Sequence, residues 1–241
     1  MTKKPWRVIM RRELAAYFAS PVAYIVGCLF LVFAGWMLFS TFFIAGRAEL
    51  RQFFQSLPVI YSIFIPILTM RVFSEEKRSG TIETLLTLPV TVRDVVLGKY
   101  LAALLFSLSL LVPTLFYVLA CYIFGTPDAG PIIGGYLGAI FLAAAYTAIG
   151  VFASALTKNQ IVAVFISFAI CLVLSLMGSF MVLLPAALVR LLTFISAASH
   201  FDSIARGIVD SRDVLYFASV TAAFIVLTVQ VVQNGRRGLS L

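Results

Sequence analysis

Residues 21–46 run for twenty-six positions without one charged side chain. A helix needs about 20 apolar residues to cross a bilayer, so this stretch belongs in lipid or in an unusually large core. Further apolar runs follow at about 57–73, 95–125, 131–156, 160–184 and 213–232. A 241-residue chain that is 62% hydrophobic, with a mean hydropathy of +1.06, exceeds the apolar share of soluble domains. The expected fold class is therefore an all-α integral membrane protein, with six transmembrane helices forming a single domain over 1–241. The 95–125 run is longer than a bilayer requires and is expected to tilt or project. In the fourth run Gly134, Gly138, Ala139, Ala143 and Thr147 place small residues along one side, a face that lets helices approach closely in lipid.

The charges orient this arrangement. With the N-terminus inside, thirteen Lys and Arg fall on the cytoplasmic side: five before residue 20, five from 71 to 99, and Lys158, Arg236 and Arg237. Five fall outside, namely Arg47, Arg51, Arg190, Arg206 and Arg212, while acidic residues divide evenly. A bias in basic residues alone is what the positive-inside rule describes. The net charge of +8 is thereby explained by topology, and no basic polar domain is present to carry a nucleic-acid site. Residues 1–20 combine Lys3, Lys4, Arg7, Arg11 and Arg12 with Trp6, Ile9, Met10, Leu14 and Tyr17 at helical spacing. This predicts an amphipathic helix lying along the inner membrane surface. A signal peptide fits poorly, because the following apolar run is too long and no small-residue cleavage site follows. Residues 47–56 are expected as an outer loop, and 185–212 as short outer helices between spans five and six.

The interval 73–99 is too long and too patterned for a simple return. Nine charges lie between Arg71 and Lys99, among them Glu75, Glu76, Arg78 and Glu83. Gly80 is expected to cap a short helix, with Glu83 reaching back to its free N–H groups. Ile82, Leu85, Leu86 and Pro89 follow at i, i+3, i+4 and i+7, giving one apolar side. Pro89 stops this helix, and Thr91 with Asp94 caps the next. Such a unit suits docking on a partner.

Other chemistries leave few traces. No span centre carries an ionisable side chain, which argues against an ion-coupled transporter. No G-x-x-x-x-G-K-[ST] loop is present, so ATP is not bound in that way by this chain. Ser179 and the single His200 are the residues an intramembrane serine protease would need, but without an oxyanion motif they read as a packing serine and a structural histidine. Cys28, Cys121 and Cys171 lie in apolar runs without disulfide or metal spacing and read as small buried hydrophobes. No catalytic residue, metal site or resident cofactor is expected.

The order of an amphipathic helix, two spans and then EEKRSGTIETLLTLPVTVRDVVLGKYLAALL (75–105) resembles the permease subunits of type-2 ABC transporters. ASPVAYIV (19–26), GGYLGAIFLAAAYTAIGVFASALTKNQIVA (134–163) and SHFDSIARGIVDSRDVLYF (199–217) are most similar to the permease of the gliding-motility-associated ABC transporter. The resemblance spans nearly the whole chain. It implies an inner-membrane permease that pairs with a second copy or a paralogue and sits on two cytoplasmic ABC ATPase subunits, which would carry ATP and Mg. An auxiliary membrane or periplasmic protein is a further implied partner. The coupling helix would be 81–88, and the ATPase-coupling residues Glu75, Glu76, Arg78, Gly80, Thr81, Ile82, Glu83, Leu85 and Leu86. A sister permease group serves copper-enzyme maturation, and a scaffold that docks an ATPase without transporting is a second alternative.

Overall fold

The computed structural model describes residues 4–45, 50–81, 90–125, 127–178, 192–208 and 210–238. Its helices are, in chain order, α1 (Pro5–Ala19), α2 (Pro21–Ala45), α3 (Arg51–Thr69), α4 (Arg71–Ser79), α5 (Val92–Ser109), α6 (Leu115–Phe124), α7 (Ala129–Leu156), α8 (Gln160–Leu176), α9 (Ala197–Ala205) and α10 (Ser211–Gly238). No strand occurs among the described residues. Four helical stretches are long and apolar enough to cross a membrane: Pro21–Ser40, Arg51–Ser79, Ala129–Leu156 and Ser211–Gly235.

The small residues of α7 put it at the centre. It packs against α3, α4, α5, α8, α9 and α10, and its face of Gly134, Gly138, Ala139, Ala143 and Thr147 is buried. A β-carbon on Gly134 would lie 2.2 Å from the Ile204 carbonyl oxygen, so here the glycine admits the backbone of α9. Gly135 receives the Phe54 ring and Gly138 the Phe201 ring. Further along, Gly150 faces Thr69 of α3. The glycines of α7 thus admit two partners, α9 at Gly134 and Gly138 and α3 at Gly135 and Gly150. By contrast, α2 touches mainly α3 and turns Tyr24, Ile25, Leu29, Val32 and Trp36 outward.

Several expectations change. The expected third span is broken. Pro113 has no N–H to donate, and residues 110–117 are held by i→i+3 bonds, including Leu111 N to Leu108 O at 3.0 Å and Tyr117 N to Thr114 O at 2.9 Å. Thr114 adds its hydroxyl to the Leu111 carbonyl at 2.7 Å. The result is α5 and α6 in place of one helix. Residues 51–56, expected in an outer loop, already form the start of α3. The fifth expected span is helical over Gln160–Leu176, and its far end lies outside the described residues. Between it and α10, one helical turn at 192–195 and α9 occupy the described part of the expected short helices. Of the cysteines, Cys121 and Cys171 are buried but Cys28 is exposed, because α2 sits at the edge of the bundle.

Candidate functional site

At one end of the bundle the chain leaves α3 without leaving the helical path. Met70 joins α3 to α4, four residues after Pro66, whose missing N–H already weakens the ladder. Ser154 of α7 enters this joint. Its hydroxyl donates to the Met70 carbonyl at 2.8 Å and accepts from the backbone N–H groups of Phe73 at 3.0 Å and Ser74 at 3.1 Å. One donor and two lone pairs are all a serine hydroxyl possesses, so the bonding is complete. Lys77 then donates to the carbonyl of Ala155, near the negative end of α7. Replacing Ser154 with alanine should strand two buried N–H groups, at roughly 1–3 kcal/mol for each orphaned group. The measurement is hydrogen exchange at Phe73 and Ser74, expected to accelerate. Unchanged exchange would mean that Ser154 does not hold the joint.

Lys99 closes the same end from the other side. It lies two turns into α5 and is only 2% exposed. Its ammonium sits 2.8 Å from Glu76 Oε1 on α4 and 3.3 Å from Glu13 Oε1 on α1. It also donates to the Val72 carbonyl at 3.0 Å and lies 5.3 Å from the centre of the Phe73 ring. Lys99, one of the nine charges between Arg71 and Lys99, is thus an interior cation that three helices share. Burial disfavours the charge on Glu13, but Lys99 and Arg12 outweigh it and hold that carboxyl below its ordinary value. Helix α1 reaches this position because Gly98 lets it close in: a β-carbon there would meet Ile9 Cγ2 and the Trp6 carbonyl oxygen at 2.9 Å. Tyr17 adds a bond from its hydroxyl to the Leu68 carbonyl at 3.1 Å. A cavity of about 170 Å³, bordered by Glu13, Tyr17, Ser20, Arg71 and Glu75, remains between α1, α2 and the α3–α4 joint.

The expected coupling residues divide into groups. Glu75, Arg78, Gly80 and Thr81 are exposed. Glu76, expected at a docking rim, is turned inward onto Lys99. Gly80, expected to cap the start of a helix, also ends one: with φ of 74° it closes α4 in the left-handed conformation that glycine adopts without strain, and Thr81 after it is again helical. The charged segment 75–79 is accordingly the last part of a helix, where Lys77 and Arg78 favour the C-terminal end. Ile82, Glu83, Leu85 and Leu86 lie outside the described residues. Beyond them the expected cap of α5 is present, with Thr91 Oγ1 accepting from Asp94 N at 3.2 Å and donating to Asp94 Oδ2 at 2.6 Å.

Lys99, Glu13 and Ser154 were not anticipated as a group. Two signals point to the ion pairs: Glu13 is the only acid in the first 48 residues, and Lys99 falls eight residues after a helix cap. No comparable signal marks Ser154.

A family model for the ABC-2 family transporter protein matches residues 9–238, nearly the whole chain. The chain belongs to this family. No individual curated protein gives a significant match. An ABC-2 membrane protein is a permease, and the helical, apolar architecture is that of a multi-pass membrane protein.

At the opposite end of this ABC-2 permease, His200 of α9 ties down α10. Its Nδ1 lies 2.6 Å from Asp213 Oδ1 and its Nε2 3.1 Å from the Phe194 carbonyl oxygen, and the ring stacks on Tyr216 at 4.2 Å. Both ring nitrogens face acceptors, which leaves neither directed at a substrate as a base. Ser179, the other residue of the protease alternative, lies outside the described residues. Lys99 and Asp213 are the buried charged side chains among the described residues, Lys99 two turns into α5 and Asp213 in the first turn of α10.

Proposed function

We propose that this chain is the transmembrane permease subunit of an ATP-driven type-2 exporter, driven through residues 74–90 by a separate ABC ATPase. One observation carries the reading: α4 continues the second span as a helix bonded to α7 and α5, and exposes Glu75 and Arg78 ahead of the 82–89 segment. A helix fixed at its base and exposed at its tip passes displacement to the spans, which a slack loop would not do. In this reading α1, α4 and both termini are cytoplasmic, and α9 is outside. Six segments cross the inner membrane, with α5 and α6 together forming a broken third. Two permease copies, or this chain and a paralogue, sit on two ATPase subunits that bind ATP and Mg, while this chain holds no catalytic group. The motif SHFDSIARGIVDSRDVLYF (199–217) supports a place beside the gliding-motility-associated permeases.

The two exposed ends of α7 test the orientation. Asp128→Cys should react with an impermeant thiol reagent applied from outside the cell, and Lys158→Cys only after permeabilisation, with Cys28 replaced to remove background labelling. The reverse pattern would overturn the topology. Isolation of the permease from membranes should also yield an ATPase whose hydrolysis rate rises on binding it; a permease that binds no ATPase would contradict the reading itself.

A further inference from the structure

We propose that Lys99 is a positioning residue that makes α1 part of the coupling apparatus, by fixing α1 and α4 to the same point at the base of α5. The inference rests on the reading of 74–90 as the ATPase-facing segment, and goes beyond it by adding α1, which lies outside that segment.

The geometry provides one centre and three attachments. Lys99 reaches Glu76 and the Val72 carbonyl on α4 and Glu13 on α1, while its own backbone belongs to α5. Helices α4 and α5 are the two arms that enter and leave the 82–89 segment. The Lys99–Glu76 pair therefore ties the arms together at their base, and displacement of the segment moves both. Glu13 extends the same tie to α1. Helix α1 packs along α5, with Tyr17 and Phe18 against the Phe106 ring and Gly98 as its seat, and its polar attachments are the Tyr17 bond to Leu68 and Glu13 on Lys99. The ion pair is the one of these that reaches both arms at once.

Stability alone is a poor explanation for a lysine here. Burying an ammonium and two carboxylates carries a desolvation cost, and apolar residues of similar volume often replace such groups without loss. What the ions supply is direction: a cation with three donors selects one mutual arrangement of its acceptors, whereas an apolar contact between α1, α4 and α5 would permit sliding. The arrangement also leaves Glu75 and Arg78 on the outer side of α4, so the docking face and the tie occupy different sides of one helix.

The test uses the permease–ATPase complex in reconstituted membranes, with Glu13→Gln, Lys99→Met and Lys99→Arg. Three quantities are measured: ATPase bound per permease, stimulation of ATP hydrolysis by the permease, and the distance between spin labels at Val8 on α1 and Arg71 on α4, both exposed and outside the 74–90 segment. With Glu13→Gln and Lys99→Met, bound ATPase should stay within about twofold, stimulation should fall about tenfold, within the usual range of coupling between sites, and the label distances should broaden. Lys99→Arg retains the charge and should recover most of the stimulation. Should Lys99→Met fail to insert, Glu13→Gln decides alone, since it removes a partly exposed charge outside the spans. Full stimulation with Glu13→Gln overturns the proposal, whether or not the labels move. A parallel loss of ATPase binding and stimulation also overturns it, because Lys99 would then only shape the docking face. Wild-type permease that binds no ATPase would instead bring down the exporter reading on which the proposal rests.

Discussion

Gly150→Val should be among the most destabilising single substitutions in the chain. A β-carbon at Gly150 would lie 2.0 Å from Thr69 Oγ1, 2.8 Å from its Cβ and 3.2 Å from its Cγ2. Thr69 cannot simply turn away, because it is fully buried and its hydroxyl donates to the Ile65 carbonyl at 2.9 Å. The contact lies one turn from the Ser154 joint, so separating α3 from α7 there would also strain the bonds that hold α4. Overpacking of this kind costs about 1–3 kcal/mol for added methylenes, and a branched side chain against a fully buried one belongs at the upper end. For a chain of this size that is a fall in melting temperature of roughly 6–12 °C. Thermal unfolding of the purified permease is the measurement. Gly150→Ala should do less, and adding Thr69→Ala to it should recover part of the loss, since two of the three close atoms are then removed. Gly235→Ala is the control: nothing lies within 4 Å of its β-carbon position, so it should be neutral or slightly stabilising. Equal effects at the two glycines would show that α3 and α7 do not meet as described.

The permease architecture was legible because lipid leaves few options. The charge-free run at 21–46, the small-residue face of α7 and the Thr91–Asp94 cap each appear where the sequence points, since each depends on local composition or on spacing of three or four residues. The helical path from 70 to 80 is hard to read from the sequence for an identifiable reason. Charged residues after an apolar run look like a loop, but Lys77 and Arg78 followed by Gly80 are also the ending of a helix, and that ending is what forms. Pro113 was visible too, yet its effect required the i→i+3 bonds around it to take over from the α-helical ladder.

The buried centre was harder to see because polarity in a sequence carries no depth. Lys99 has the same side chain as Lys158, which is exposed in a turn, and only the approach of α1 and α4 distinguishes them. Ser154 is one hydroxyl among several on apolar helices. Its role arises from a joint on another helix, eighty residues away in sequence, which no periodicity within α7 encodes.

Docking would rest on Ile82, Leu85 and Leu86, whose spacing in the sequence predicts one apolar side between α4 and α5. If these side chains dock in a groove of the ATPase, each contributes roughly 1.5–3 kcal/mol of apolar burial. An aspartate in the groove forfeits that and adds a desolvated charge, so binding should weaken by at least about tenfold for each 1.4 kcal/mol lost. Leu85→Asp and Leu86→Asp should each separate the ATPase from the permease while leaving the spans inserted, because neither lies within them. Glu75→Ala should act more weakly, through an association rate that depends on salt, as expected of a charge at a rim. Co-purification of the ATPase with wild-type and variant permease, read together with permease-dependent ATP hydrolysis, tests this most directly. The account predicts that both leucine variants lose the ATPase and its stimulation while retaining normal membrane insertion. Full binding and full stimulation with both variants would show that the 82–89 segment is only a turn, and that ATP hydrolysis does not reach this permease through it.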